Sequence, residues 1–152
     1  MTKNRDFKNL VRAEMAMSGA TYTAARVALL AKLDEEQRFH DKTLRTFLVD
    51  GRLVRIPAKR RARVVVLLRL LSEFTPGTDY PESDVNDTLR SFHEDVAWLR
   101  RELVDYGFLV RADGIYRVAD HLGEPGSTVS PELPPDLGRR FSRITSVAPL
   151  IE

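Results

Sequence analysis

The chain has 152 residues, enough for one domain of ordinary size or a small domain with appendages, and its 43% hydrophobic and 30% charged residues describe a folded rather than a disordered chain. It contains no cysteine, which excludes disulfides and thiolate metal sites. Its longest uncharged apolar run, Val64 to Leu68, is far short of the roughly 20 residues that cross a bilayer, and residues 1–10 lack the apolar block of a signal peptide, so a cytoplasmic protein without membrane association is expected.

Residues Arg5 to Met17 suit a first helix, with Phe7, Leu10, Val11 and Met15 on one stripe interrupted by Glu14. Ser18-Gly19-Ala20 breaks it, and Thr21 is placed to cap a second helix to about Leu33. Ala24, Ala25, Ala28 and Leu29 give that helix a small face that permits close approach of another helix. The expected result is a helical hairpin that mediates dimerisation, with a second DNA-reading element as the alternative. Asp34 to Phe47 reads as a charged helical connector whose Phe39, Leu44 and Phe47 rest on the core. His40 lies within it with no second ligand at metal spacing and is expected at the surface, so no metal site and no cofactor are assigned.

Asp50-Gly51 marks a turn, and Arg52 to Ile56 alternates as an edge strand does. Pro57 then leads into a helix over Ala58 to Phe74, where Val64, Leu67, Leu68, Leu71 and Phe74 recur at the helical period. Its first turns carry Lys59, Arg60, Arg61 and Arg63. Four cations at a helix N-terminus oppose the macrodipole, so an anion should neutralise them: either phosphate or the acids Asp84, Asp87, Glu94 and Asp95. The wider pattern is two-sided. From Arg52 to Arg69 seven basic residues occur with no acid, whereas Glu73 to Asp95 holds seven acids and one base, Arg90.

Pro81 opens a further helix with Glu82 and Asp84 in its first turn and Val85, Leu89 and Phe92 as its buried face. His93-Glu94-Asp95 turns into the next helix, which Asp95 caps; no serine, lysine or second histidine completes a catalytic group around His93, and no enzyme is expected. At 100° per residue Val96, Leu99, Leu103 and Tyr106 share one buried stripe. Arg101 points the opposite way with Ala97, Val104 and Asp105 beside it, and Arg100 and Trp98 lie on the flanks. Gly107 suits the left-handed residue that ends a helix. Residues 108–112 and 115–118 are then expected as strands joined by the type I′ pair Asp113-Gly114, with Arg111 and Arg117 flanking the turn.

Helix, tight turn, helix and hairpin is the order of a winged helix-turn-helix. The fold class expected is mainly α with a small β-sheet (α+β): an N-terminal helical hairpin and connector over 1–46, a winged-helix domain over 47–118, and an extended or disordered tail over 119–152. The Pro- and Gly-rich tail ends in a basic knot, Arg139, Arg140 and Arg143, and an apolar segment, Val147 to Ile151; it is expected to be dispensable for folding.

The block from Phe47 to Val118 resembles the bacterial family called domain of unknown function 2087. The resemblance rests on Phe47, Asp50-Gly51-Arg52-Leu53, Ile56-Pro57-Ala58-Lys59, Tyr80, Val85-Asn86, Leu89, Asp95-Val96, Leu99-Arg100-Arg101-Glu102-Leu103-Val104, Gly107, Arg111 and Tyr116. It implies a winged-helix layout and leaves activity open. The functional expectation is a dimeric transcriptional regulator that binds double-stranded DNA, with recognition helix 95–106 and wing 109–118. Its contact residues are expected to be Arg101, Arg100, Trp98, Lys59, Arg60, Arg61, Arg111 and Arg117. The alternative is a module that docks an acidic protein partner.

Overall fold

A computed structural model describes residues 2–122, 133 and 136–146, which are mainly helical with two small antiparallel sheets, an α+β chain as expected. The fold divides into two compact units, residues 1–39 and residues 40–152.

In the first unit α1 (Thr2–Ser18) and the start of α2 (Tyr22–Phe47) form the hairpin. Thr21 caps α2 through Oγ1, which accepts from the Ala24 N–H at 3.3 Å. Val11, Ala25 and Leu29 are buried together, with Phe7, Met15, Ala20 and Leu33 around them. Lys32 pairs with Glu14 at 2.9 Å and ties the two helices. The small face is only half used, since Ala24 and Ala28 stay exposed. The separate connector expected from Asp34 on is instead continuous with α2, because no glycine, proline or capping signal interrupts residues 33 to 47.

In the second unit β1 (Leu48–Val49) and β2 (Arg52–Leu53) pair antiparallel across Asp50-Gly51, both in the left-handed region. The strand expected to reach Ile56 stops at Leu53. The core is built on α3 (Arg60–Leu71). The expected residues Val64, Leu67, Leu68, Leu71 and Phe74 are buried, and so are Val65, Val66 and Leu70 off that stripe. A helix apolar all round must be covered all round. One cover is a helix, α6 (Leu137–Thr145), inside the segment expected to be an extended tail; this corrects that expectation for residues 136–146. Leu137 and Phe141 are buried in the same core, and the Phe141 ring stacks on Phe108 with centroids 5.9 Å apart. The apolar segment Val147 to Ile151 lies outside the described residues.

Between these come α4 (Glu82–Arg90) and α5 (Val96–Asp105), then β4 (Leu109–Ala112) and β5 (Ile115–Val118). Leu99 and Leu103 are fully buried, while Val96 and Tyr106 pack on the core in part. Asp95 Oδ1 accepts from the Trp98 N–H at 3.1 Å and caps α5. At the far end Gly107 takes φ +77°, the Gly107 N–H donates to Val104 O and the Phe108 N–H donates to Leu103 O, each at 2.9 Å. That pair of bonds satisfies two orphan carbonyls and turns the chain straight into β4. Asp113 (φ 51°) and Gly114 (φ 77°) close the two-residue hairpin with Ala112 opposite Ile115. A third strand, β3 (Tyr80–Pro81), pairs with β5 and gives the sheet order β3-β5-β4. Pro81 therefore ends a strand and precedes α4 rather than opening the helix.

Candidate nucleic-acid interface

The eight residues expected to bind DNA divide by what already holds them. Arg101 stands exposed on α5 and makes no hydrogen bond or ion pair among the described residues. The two acids nearest in sequence leave it alone. Glu102 instead faces Arg63 at 3.5 Å, and Asp105 has no cationic partner among the described residues. Ala97 and Asp105 lie exposed beside it as the helical wheel requires, but Val104 is partly buried against the core, so the outer face is narrower than expected.

Arg100 is engaged elsewhere. Its guanidinium donates to Asn86 Oδ1 and lies 2.7 Å from Glu82 Oε1, and its side chain is only 20% exposed. Both partners belong to α4, so Arg100 clamps α5 to α4. Two other acids near it in sequence are used otherwise: Asp95 caps α5, and Asp87 pairs with Arg90 at 2.9 Å. Trp98 is likewise a packing residue. It rests partly buried on the core, with the Arg63 guanidinium 5.3 Å above its ring.

Arg63 organises the start of α3. It donates to the carbonyls of Pro57 at 3.2 Å and Ala58 at 3.3 Å while reaching Trp98 and Glu102 of α5. One of the four N-terminal cations is thus neutralised from within the fold, by Glu102, which lies outside the acidic block expected to do so. Lys59 is exposed, and its side chain has no partner among the described residues. Arg60 and Arg61 are half-buried and held by other groups of the chain. On the hairpin, Arg111 is exposed and lies over the Tyr116 ring at 5.7 Å, which leaves its donors free to turn outward. Arg117 donates from Nε to Asp79 Oδ1 at 2.8 Å, so its charge is already answered.

Of the eight expected contact residues, three are therefore exposed cations without an acidic partner among the described residues: Arg101 on α5, Arg111 on β4 and Lys59 ahead of α3. Chemically it presents donors to an anionic or acceptor-rich partner. The His93 Nδ1 accepts from the Asp95 N–H at 3.0 Å and shapes the turn into α5. Among the described residues no group of three His, Cys, Asp or Glu could hold a metal ion, and no helix is long and apolar enough to cross a membrane.

Sequence reasoning missed Arg63, Glu82, Asn86 and Glu102 as the network behind the surface. The signal was faint. Arg63 stood in the basic cluster, but a pairing 39 residues away, to Glu102, leaves no trace in local spacing.

Neither a curated protein nor a solved structure matches the chain. A family of bacterial proteins does match, over residues 52–118, which begin at β2 and end with β5. The segment holding α3, α4, α5 and the hairpin is thus similar to the family described as "Uncharacterized protein conserved in bacteria (DUF2087)".

Proposed function

We propose that this chain is a cytoplasmic DNA-binding protein, a transcriptional regulator of the winged helix-turn-helix type, and not an enzyme. In this reading α4 and α5 are the helix-turn-helix, α5 lies in the major groove, and the β4–β5 hairpin is the wing. The observation that carries it is Arg101, a solvent-exposed guanidinium on the face of α5 opposite the buried Leu99 and Leu103, with no acid paired to it among the described residues. A bidentate donor so placed suits guanine O6 and N7. Arg111 and Lys59 suit phosphates. Arg100 and Trp98 fall out of the contact set and hold α5 in place, while Arg117 would have to leave Asp79 to join it. Homodimerisation through the N-terminal hairpin would double the interface; the exposed Ala24 and Ala28 are the surface offered for it.

The test is a gel-shift titration of the full chain on genomic fragments at about 50 and about 200 mM salt. With roughly four phosphate contacts the slope of log K against log salt is about −3.6, so the fourfold salt increase should weaken binding roughly a hundredfold. Absence of any shift at the lower salt would reject the DNA reading in favour of a module that docks an acidic protein.

A further inference from the structure

A cavity of ≈ 170 Å³ opens between the later part of α2, the end of α3 and α6, lined by His40, Leu68, Arg69, Ser72, Arg140, Arg143 and Ile144. Its charges are unevenly answered. Arg69 pairs with Glu73 at 2.6 Å and also meets Ser72 Oγ at 3.1 Å. Arg140 pairs with the buried Asp136 at 2.5 Å, and the same carboxylate serves Arg139 at 3.6 Å. Arg143 is exposed and has no partner among the described residues, so the lining carries one uncommitted positive charge. Leu68 and Ile144 supply apolar wall. His40 is only 17% exposed, and its Nδ1 is buried without a hydrogen bond, 3.8 Å from Asp41 Oδ1. Burial, and then the nearby Arg140, hold the His40 pKa below 6.5, so the imidazole adds no second charge at neutral pH.

We propose that this cavity binds a small organic monocarboxylate with a compact apolar body, its carboxylate on Arg143 and its body against Leu68 and Ile144. The size agrees, since an apolar cavity of about 150 Å³ holds a benzene ring. The charge agrees as well: a single free guanidinium balances a monoanion, and forks onto a carboxylate in bidentate fashion. Inorganic phosphate would leave the apolar wall unused. The inference does not rest on the DNA reading, and either can fail alone.

The experiment is calorimetric titration of the full chain with sodium benzoate, benzamide and inorganic phosphate at fixed ionic strength, with ¹⁵N amide shifts followed in parallel. Benzoate is expected to bind one per chain with a Kd of roughly 1 mM or tighter. Benzamide and phosphate should each bind at least about tenfold more weakly, a difference of about 1.4 kcal/mol. Arg143→Gln, a surface change that leaves the fold intact by circular dichroism, should cost benzoate about tenfold, and Arg143→Lys should recover part of it. The benzoate-induced shifts should cluster at residues 40, 68–72 and 140–144. No saturable benzoate binding, equal binding of benzamide or phosphate, an unaffected Arg143→Gln, or shifts centred elsewhere would each overturn the proposal.

Discussion

Phe141→Ala is the perturbation that most sharply tests how the second unit is built. Phe141 is 2% exposed and stacked on the fully buried Phe108, although it lies 23 residues beyond the end of β5. Truncating a buried phenyl to a methyl removes roughly 100 Å² of apolar surface from burial, about 2.5 kcal/mol at 25 cal/mol per Å². The lost ring pair adds about 0.5–1.5 kcal/mol, and the void left over α3 brings the total to about 3–5 kcal/mol. For a unit of this size that is a fall in Tm of roughly 10–20 °C, read by circular dichroism or calorimetry. A chain ending after His121, which loses Leu137 together with Phe141, should fall at least as far. If α6 simply undocks in the variant, the loss is capped at the docking free energy, and the truncated chain will show the same Tm as Phe141→Ala. A change under about 2 °C in both would refute the packing of α6 on α3 and restore the tail to a dispensable role.

The remaining predictions concern the frame around α5 and the buried imidazole. Gly107→Ala forces an L side chain to φ +77° and should cost about 1 kcal/mol by urea denaturation; an unchanged midpoint would mean that this turn relaxes without strain. A double-mutant cycle of Arg100→Gln with Glu82→Gln should give a coupling of about 0.5–1 kcal/mol, modest because Glu82 is 42% exposed, while DNA affinity of the folded Arg100→Gln protein stays within about twofold; zero coupling would contradict the clamp. His40, held below its ordinary pKa of 6.5 by burial and Arg140, stays neutral in the fold at a pH where the unfolded chain takes up a proton. Its contribution is therefore complete above pH 6.5 and lost as pH falls below it, so His40→Gln should flatten the decline in Tm between about pH 7 and 5, whereas an identical decline would place the titration elsewhere.

What the sequence made legible is whatever depends on near neighbours. Leu99 and Leu103 announced their burial through helical period, Asp95 its cap, Gly107 its left-handed turn and Asp113-Gly114 its hairpin, because each is decided within a few residues. The contacts that needed distant chain were hidden. Val65, Val66 and Leu70 lie off the stripe of α3 and are buried because α6 and other elements surround it. A clue existed: Leu137, Phe141 and Ile144 repeat at spacings of four and three within an otherwise Pro- and Gly-rich segment, an amphipathic pattern that composition obscured. Tyr80-Pro81 is too short to alternate, so only its partners Tyr116 and Ile115 reveal it as a strand. For the candidate interface, exposure of Arg101 followed from the helical wheel, whereas the commitments of Arg100 to Glu82 and of Arg117 to Asp79 required the folded chain.

In the proposed function the outer face of α5 reads DNA, and one comparison tests this most directly: wild type, Arg101→Ala and Arg111→Ala titrated on a selected site and on random duplex. Arg101→Ala should lose about 1–3 kcal/mol on the selected site and little on random duplex, because a base-edge contact discriminates. Arg111→Ala should weaken both alike and reduce the salt slope by roughly one unit, because a phosphate contact does not. Equal affinity of all three proteins on both duplexes, or no binding by wild type at low salt, would contradict the account.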